Sequence, residues 1–480
     1  MYHIKNDRTY KNKVFLSNTK FIFIFIALCI SSIAFAFDPL FAEESDADIP
    51  PCKNLNIDNP LTLTDSVTFA LCKNPDAKIA LANVAYQADL VGQARSSYLP
   101  SLNIDSSIGK TYYGSNSFHV SPLNRNLSLS ANYLLYDFGA REAKNSYATA
   151  MFDAVSQTKD ALLQTIFFNT VQAYYTLASA NSALDASVEA ENYALQSYMA
   201  AQKKYEVGAA TPADKLQAQT SYSNAKLNTI TAEGLVNNAK ASLANAMGLS
   251  ANEPIKLSTQ NESVNIAGFN TDLNRLIDLA KQKRPELKNA EYSINAAQSN
   301  VQSAKSEFMP SISINGSRSY DSSSVFQQGR TDAGMITMSI PIFSGFSSLY
   351  ALKAAKESLK SANASKEKEE KQITLEVYTA YQNILTQTQS LKAATDLLSS
   401  AEESYKMATG RYKAGKGNII ELLNAQSAFA DAKKQKISAF YNWQIAKGAL
   451  AKAIGVIDKN DIIKNEQEIN IFKGNKNADK

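Results

Sequence analysis

The 480-residue chain has few of the side chains that enzymes most often use for catalysis. It contains two histidines, three cysteines, one tryptophan and 12 prolines. One histidine lies at the extreme amino terminus, which leaves His119 as the histidine of the main body of the chain. A His-based catalytic triad and a multi-histidine metal cluster are therefore excluded. We expect no enzymatic activity and no cofactor, and we expect His119 to lie in an exposed loop between strands.

An excess of charge of either sign is also missing. The chain has 49 basic and 45 acidic residues, for a formal net charge of +4. Five cations and one anion fall within the first 20 residues, and 5 − 1 = +4, so the rest of the chain is close to neutral. This balance does not indicate nucleic-acid binding. Because 45% of the residues are apolar and prolines are few, the composition favours long helices with narrow apolar seams.

The cationic amino terminus leads into an apolar run from Phe21 to Ile30. This run is shorter than the ~20 residues of a membrane-spanning helix. With the small-residue pattern Ala34-Phe35-Ala36 it predicts a secretory signal peptide over residues 1–36, cleaved after residue 36 or 42. A retained inner-membrane anchor is the alternative.

Export would leave two cysteines, Cys52 in an N-terminal segment spanning 43–60 and Cys72 in the first predicted helix. An even pair in an oxidising compartment predicts a disulfide that ties this segment to the helix. Two free thiols are the alternative.

Most of the remaining chain occurs as two copies. Residues 74–80 match 284–290, and residues 98–104 match 308–314, each at a distance of 210 residues. Four further matches are 207 apart: Tyr205 with Tyr412, Gly208 with Gly415, Gln219 with Gln426 and Gly248 with Gly455. The chain therefore reads as a first repeat over 61–249, a linker over 250–270, a second repeat over 271–457 and a polar tail over 458–480.

Each copy is predicted to run helix, strand, loop, strand, very long helix, tip and returning helix. The first helix is expected from about Asp65 to Ser97, before Pro100. Alternating apolar and polar residues predict strands at about 101–113, 125–136, 311–320 and 333–343. A sheet over a soluble core is one interpretation, but no segment offers a second apolar layer. The strand length and the aromatic residues near the strand ends favour a membrane barrel.

Four strands cannot close a barrel, and open sheet edges are not tolerated in lipid. The barrel must therefore be shared between chains. Two chains would supply eight strands and three would supply twelve, and the pattern does not decide between them.

The very long helices carry apolar residues at a spacing of seven. No helix breaker lies between Ala140 and Val207, a length of roughly 100 Å. One row of large and one row of small residues predict a coiled-coil seam with the returning helices, 213–246 and 419–454. The large row of the first copy comprises Leu163, Thr170, Leu177, Leu184, Glu191, Tyr198 and Tyr205, and that of the second comprises Val377, Ile384, Leu391, Leu398, Tyr405 and Tyr412.

A Gly-rich break joins the two helices of each copy, at 205–214 and again at 412–421. In the first tip Thr211 is placed to cap the next helix, with Pro212 at its first and Asp214 at its third position. In the second tip Asn418 takes the cap position and Glu421 follows three residues later, as in a capping box.

This duplicated order resembles the TolC family of outer-membrane efflux and type I secretion channels, over about residues 61–457. The stretches that carry the resemblance are Asn74-Pro75, Tyr98-Leu99-Pro100-Ser101-Leu102, Tyr136-Asp137-Phe138-Gly139, Tyr205-Glu206-Val207-Gly208, Pro341-Ile342-Phe343-Ser344-Gly345 and Leu422-Leu423-Asn424-Ala425-Gln426. The resemblance implies a mostly helical homotrimer with a twelve-stranded outer-membrane barrel and a periplasmic α-helical tunnel, in which the linker is equatorial. The implied partners are outer-membrane lipid, a periplasmic adaptor (membrane fusion) protein and an inner-membrane pump of the ABC or RND type.

The resemblance also implies roles for tip residues. Glu421 and Asn424 fall on the pore constriction, where a carboxylate ring would attract cations; the alternative for Glu421 is a capping bond to the backbone N–H of Asn418. Tyr412 and Asp214 fall on contacts that hold the tip closed, and Lys416 lies beside the position where a basic partner is expected. Adaptor docking falls on Val207, Gly208, Ala209, Ala414 and Gly415.

The sequence thus predicts a passive exit duct whose periplasmic tips form its gate. A structural coiled-coil protein of the periplasm, such as an adaptor-like spacer, is the alternative function. The two differ in solubility, because the spacer would dissolve without detergent.

Overall fold

The computed structural model describes residues 59–115, 118–258, 272–324 and 328–456. The predicted signal peptide, Cys52, most of the linker and the polar tail lie outside these ranges. Cys72 is disulfide-bonded, and its pairing with Cys52 stays a prediction.

The first copy comprises these elements in chain order: α1 (Leu63–Lys73), α2 (Pro75–Ser96), β1 (Ser101–Lys110), β2 (Tyr113–Ser115), β3 (Phe118–Val120), β4 (Leu123–Tyr136), α3 (Ala140–Glu206) and α4 (Pro212–Ala246). The second copy repeats the order with α5 (Leu273–Lys283), α6 (Pro285–Ser306), β5 (Ser311–Ser323), β6 (Gly329–Ser339), α7 (Ser347–Lys413) and α8 (Ile419–Ile454). The predicted duplication is thus present in the order of elements. The first copy adds the short β2–β3 hairpin, whose second strand contains His119; the expectation of a loop at this residue was wrong, because its backbone pairs with Gly114.

The first helix of each copy is broken into two, where the sequence predicted one continuous helix. In both copies the break precedes a proline, at Asn74-Pro75 and Arg284-Pro285. A proline has no N–H to donate and excludes helical backbone angles at the preceding residue. Asn74 and Arg284 accordingly have ψ angles of 127° and 123°.

The two corners are fixed in the same way. The Asn74 side-chain amide donates to the carbonyl of Ala246 at 3.1 Å, and the Arg284 guanidinium donates to the carbonyl of Ala453 at 3.3 Å. Ala246 and Ala453 are themselves 207 residues apart, so the duplication extends to this hydrogen bond. Each corner is thereby attached to the end of the returning helix of its own copy.

Four strands form one antiparallel sheet in the order β1-β4-β5-β6. The last strand differs from the prediction of 333–343, since it begins at Gly329 and ends at Ser339. Two effects explain the shift: Gly329 pairs with Asp321 at the start, and Pro341 cannot donate to a ladder after the end. The outer strands β1 and β6 each have one edge without a partner among the described residues.

The register separates apolar from polar side chains. Directly paired residues point to the same face of a sheet, and the pairs Leu102↔Ala131, Tyr133↔Ile314 and Ile314↔Ile336 place the aliphatic residues on one face. The pairs Asn103↔Ser130 and Asn315↔Thr337 place amides and hydroxyls on the other. The aliphatic face is uncovered, and Leu102 and Ile336 are 70% and 71% exposed.

The helices α3 and α7 each contain 67 residues, a length of about 100 Å. The predicted large row is buried at Thr170, Leu177, Val377, Ile384, Leu391 and Tyr412 and half-buried at Leu163, Leu184, Glu191, Tyr198, Leu398 and Tyr405. Tyr205 departs from it and is 40% exposed, because the first tip begins at this turn. In the described residues, no helix combines the length and the hydropathy that crossing a membrane requires.

The two copies pack against each other along α3 and α8. Polar contacts connect these helices at three levels: Ser182 with Tyr441, Glu189 with Lys433, and Ser197 with Gln426. Each copy also has its own apolar centre near the corners, around Leu177 and Leu243 in the first and around Ile373 and Leu450 in the second. The helices therefore form a single rod that extends from the sheet to the two tips.

Candidate functional site

The first tip is a short turn closed by a complete capping box. Helix α3 ends at Glu206, and Gly208 has a φ of +75°, which suits glycine because it has no Cβ. The Thr211 hydroxyl accepts from the Asp214 N–H at 3.1 Å, while the Asp214 carboxylate accepts from the Thr211 N–H at 3.0 Å. Pro212 is the first residue of α4. The predicted cap is confirmed, and it occupies the Asp214 carboxylate.

The second tip has the same backbone but a different use of its carboxylate. Gly415 has a φ of +71°, and the Asn418 side chain accepts from the Glu421 N–H at 2.7 Å. The Glu421 carboxylate takes an ion pair with Arg411, at 2.9 Å from Nη1 to Oε1. The expected alternative, a capping bond to the Asn418 N–H, is therefore replaced by this pair.

The two tips are joined by a small apolar cluster. It contains Ala201, Ala218, Tyr412, Ile419, Leu422 and Leu423. The Lys204 ammonium lies 3.7 Å from the centroid of the Tyr412 ring and donates to the Tyr412 carbonyl at 3.3 Å. Burial, followed by the negative charge of Asp214, raises the pKa of Tyr412 above its usual range. Tyr412 thus contacts the first tip through the apolar cluster and through Lys204.

The predicted gate contacts have different positions. Tyr412 is buried between the tips, but Asp214 is engaged with Thr211 and Lys416 is exposed. The role of Lys416 as a gate contact stays a prediction. The turn brings the end of α7 beside the start of α8, and so Arg411 reaches Glu421 across it.

Lys204 and Arg411 were missed by the sequence analysis, although a signal was present. They are 207 residues apart and so occupy equivalent positions, each just before the repeated tyrosine, Tyr205 or Tyr412. The structure assigns them different partners, an aromatic ring for Lys204 and a carboxylate for Arg411. A comparison of charged residues at equivalent positions of the two copies could have identified both Lys204 and Arg411.

The remaining predicted residues lie on the surface of the tips. Val207 is 78% exposed, and Gly208, Ala209, Ala414 and Gly415 are exposed as well. Asn424 is exposed three residues after Glu421, and residues at this spacing share a helix face. The tips therefore present small residues at their ends and one carboxylate and one amide on the side of α8.

A second charged group joins the copies further along the rod. Glu189 on α3 pairs with Lys433 on α8 and also accepts a hydrogen bond from the Tyr193 hydroxyl at 2.7 Å. The bond from Lys433 lowers the pKa of Glu189, and the bond to Glu189 raises the pKa of Tyr193 to about 12. These three residues form one hydrogen-bonded group that connects α3 to α8. Within the described ranges, no group of acidic, histidine and cysteine residues could hold a metal ion.

A four-stranded sheet with an uncovered aliphatic face, attached to a rod of about 100 Å that ends in two helical tips, is the architecture expected of an outer-membrane channel. The family model for outer membrane efflux proteins matches residues 67–249 and 276–456, so the chain belongs to that family. The two matched segments coincide with the two copies found in the sequence.

Relatives and solved structures agree with this assignment. The chain is 28% identical to Protein CyaE of Bordetella pertussis, over 84% of each chain. It is 22% identical to the outer membrane protein TolC of Escherichia coli, over 82% of each chain. The CmeC outer membrane channel of Campylobacter jejuni has the same fold, with a TM-score of 0.74 at 19% identity over 86% of this chain and 91% of that one. The protein is an outer-membrane exit duct with its helical part in the periplasm, and its family and fold are those of passive channels.

Proposed function

We propose that three copies of this chain assemble into one channel, with a twelve-stranded barrel in the outer membrane and a helical tunnel below it. The observation that carries this proposal is the four-stranded sheet with two unpaired edges and one bare aliphatic face. Such edges are costly in lipid, and the sheet is too narrow to close on itself. The matching order of elements in trimeric channels of this type favours three copies over two.

The channel would conduct passively, with energy supplied by an inner-membrane pump of the ABC or RND type through a periplasmic adaptor. This chain supports a passive role by its paucity of catalytic side chains. Adaptor docking would use the small, exposed residues of the tips, Val207, Gly208 and Ala209 in one and Ala414 and Gly415 in the other. Their lack of bulk allows another helical tip to approach closely.

Gating would occur where the two tips meet. Tyr412 under the Lys204 ammonium holds the second tip against the first, and opening would require that this contact separate. Three Glu421 carboxylates, one from each copy, would then surround the opening and favour cations. The Arg411 partner moderates this charge as long as the pair stays formed.

Membrane extraction and electrophoresis test the assembly. The exported protein should require detergent for extraction, migrate as a trimer in unheated SDS samples and convert to a monomer on boiling. Reconstituted trimers should form discrete ion channels in planar bilayers. A protein that dissolves without detergent and gives no heat-modifiable trimer would instead support the periplasmic spacer.

A further inference from the structure

The cations of the sheet are confined to one of its faces. The described strands contain four Lys and Arg residues, namely Lys110, Arg125, Arg318 and Arg330. Arg125 pairs with Ile108, and Lys110 follows Ile108 at a spacing of two, so both share the face of Leu102 and Ile104. Arg318 pairs with Leu129, and Arg330 pairs with Tyr320, which is the partner of Leu127. All four cations therefore project from the aliphatic face.

The same four residues lie towards the outer end of that face. The helices join the sheet at Ser101, Tyr136, Ser311 and Ser339, so this end is periplasmic. Aliphatic residues occupy the periplasmic half of the face, with Leu102, Tyr133, Ile314 and Ile336 in successive strands. Because barrel strands tilt by about 35–45°, one level of the membrane crosses neighbouring strands at different registers. All four cations therefore lie in the outer part of the face, where Ile108, Leu123 and Leu127 lie among them.

Charge in this outer part of the face is positive overall. Asp332 is the anion among the cations, so the sum is 4 − 1 = +3 for each chain. The other face carries Asp105 and Asp321 and none of the four cations. With the cations on the aliphatic face and the anions on the opposite face, the positive charge is kept away from the proposed lumen. The cations therefore face the proposed lipid side of the sheet and not its lumen.

One carboxylate holds two of the guanidinium groups together. Asp332 accepts from Arg318 Nε at 2.6 Å, and from Arg330 Nε at 2.9 Å and Nη2 at 2.5 Å. Two guanidinium groups carry ten N–H donors, far more than one carboxylate can accept. The donors that remain are suited to the oxygens of a phosphate, which arginine binds in a bidentate manner.

We propose that Lys110, Arg125, Arg318 and Arg330 form a binding belt for phosphorylated lipid headgroups of the outer leaflet. Arginine in the centre of a bilayer is strongly unfavourable, so these cations must lie at headgroup depth. The aliphatic half of the face then lies in the hydrocarbon layer. The belt fixes the depth of the barrel from the outer side through its charge.

The inference rests on the proposed barrel, and it is tested on the full-length trimer in detergent. The probe is diphosphorylated lipid A, compared with zwitterionic phosphatidylethanolamine and with inorganic phosphate, by native mass spectrometry and thermal shift. The test variant carries Lys110→Gln, Arg125→Gln and Arg330→Gln, which leaves the Arg318–Asp332 pair intact. The control carries Lys226→Gln, Lys356→Gln and Lys392→Gln, three exposed helical lysines with the same change in charge.

The wild type and the control should retain lipid A in preference to the other two probes. The test variant should retain about 10-fold less or lower still, because each cation at a membrane surface adds several-fold to the attraction for anionic lipid. Equal retention by test and control variants would overturn the belt, as would equal binding of phosphatidylethanolamine or protection by inorganic phosphate alone.

Assembly is followed in the same samples. If the triple variant does not form trimers, the single variant Arg125→Gln and the charge-conserving Arg125→Lys replace it, and only the first should lose lipid. A wild type that forms no trimer would contradict the proposed channel, whereas a trimer without lipid preference would contradict the belt alone.

Discussion

At the scale of single residues, the two tips show how one duplicated position acquires two tasks. Lys204 and Arg411 are equivalent by the 207-residue repeat. Lys204 lies over an aromatic ring and links the tips, while Arg411 neutralises a carboxylate within its own tip. The difference arises from the partners within reach. The residue equivalent to Glu421 is Asp214, and its carboxylate accepts the capping bonds from Thr211.

The charge of the opening depends on Glu421. Glu421→Ala should reduce the preference of single channels for cations in planar bilayers, because the proposed ring loses its carboxylates. Arg411→Gln should have the opposite effect, since it releases Glu421 from its ion pair. Reversal potentials in a KCl gradient measure both changes.

Glu206→Ala is the matched control, because it removes a carboxylate from the exposed end of the first tip. It should leave the selectivity close to that of the wild type. Unchanged selectivity in Glu421→Ala would restrict Glu421 to its local pair with Arg411.

Two glycines with the same backbone angle should differ in their tolerance of a side chain. Gly208 and Gly248 have φ angles of +75° and +73°, which cost about 1 kcal/mol or more for alanine. A Cβ on Gly208 would meet open space, but one on Gly248 would lie 2.6 Å from the Asn74 Cα. Gly248→Ala should therefore lower the free energy of unfolding by about 1–3 kcal/mol more than Gly208→Ala does. Thermal unfolding followed by circular dichroism measures the difference, and equal losses would show that the corner adjusts.

At the scale of elements, the hairpins are held at their tips by few contacts. The cluster that joins them contains Tyr412, Ile419, Leu422 and Leu423 from the second hairpin and the small residues Ala201 and Ala218 from the first. Small contact areas contribute little hydrophobic stabilisation, at about 25 cal/mol per Å². The Lys204 interaction with Tyr412 adds a cation–π contact and a hydrogen bond to this apolar cluster.

Lys204→Ala should increase the time that the channel spends in open states, because it removes both the cation over the Tyr412 ring and the donor to its carbonyl. A cation–π contact of this kind is worth about 0.5–2 kcal/mol, which corresponds to a several-fold change in the open fraction. Single-channel recordings at constant voltage measure this fraction. Lys203→Ala is the control, since this neighbouring lysine is exposed. Equal effects of the two variants would argue against the contact as a latch.

At the scale of the whole molecule, polar contacts between the copies position α3 beside α8. The Glu189–Lys433 pair crosses this seam, and the lowered pKa of Glu189 shows that the folded state prefers the carboxylate. A lowered pKa stabilises the fold above the ordinary value of 4.5, and this contribution is lost as the pH falls through the folded value.

Glu189→Gln should therefore destabilise the protein at pH 7, and the difference from the wild type should shrink below pH 4.5, the ordinary value for this group. The side chains of Glu189 and Lys433 are about one third exposed, so the free energy of unfolding should fall by only about 0.5–1 kcal/mol per chain. Thermal unfolding at the two pH values measures it. Glu191→Gln on the same helix is the control, and a loss that persists at low pH would assign the effect to packing.

Much of this architecture follows from local sequence. The spacing of seven fixed the seam of α3 and α7, prolines fixed the corners, and alternation in the strands fixed which face is aliphatic, because each of these depends on neighbours within a few residues. The caps at Thr211 and Asn418 followed from the same short-range chemistry. Even the missed breaks before Pro75 and Pro285 could have been read from the chain.

Contacts between distant residues were decided only by the tertiary structure. The pairing of Arg411 with Glu421 depends on how α7 and α8 meet across a turn, and the pairing of Lys204 with Tyr412 depends on how the two copies pack. The gathering of four cations on the aliphatic face depends on the register of strands up to about 200 residues apart in sequence. The sequence determined the helices and strands because their apolar patterns repeat within a few residues. The tertiary structure determined which side chains interact because the interacting charges come from distant parts of the chain.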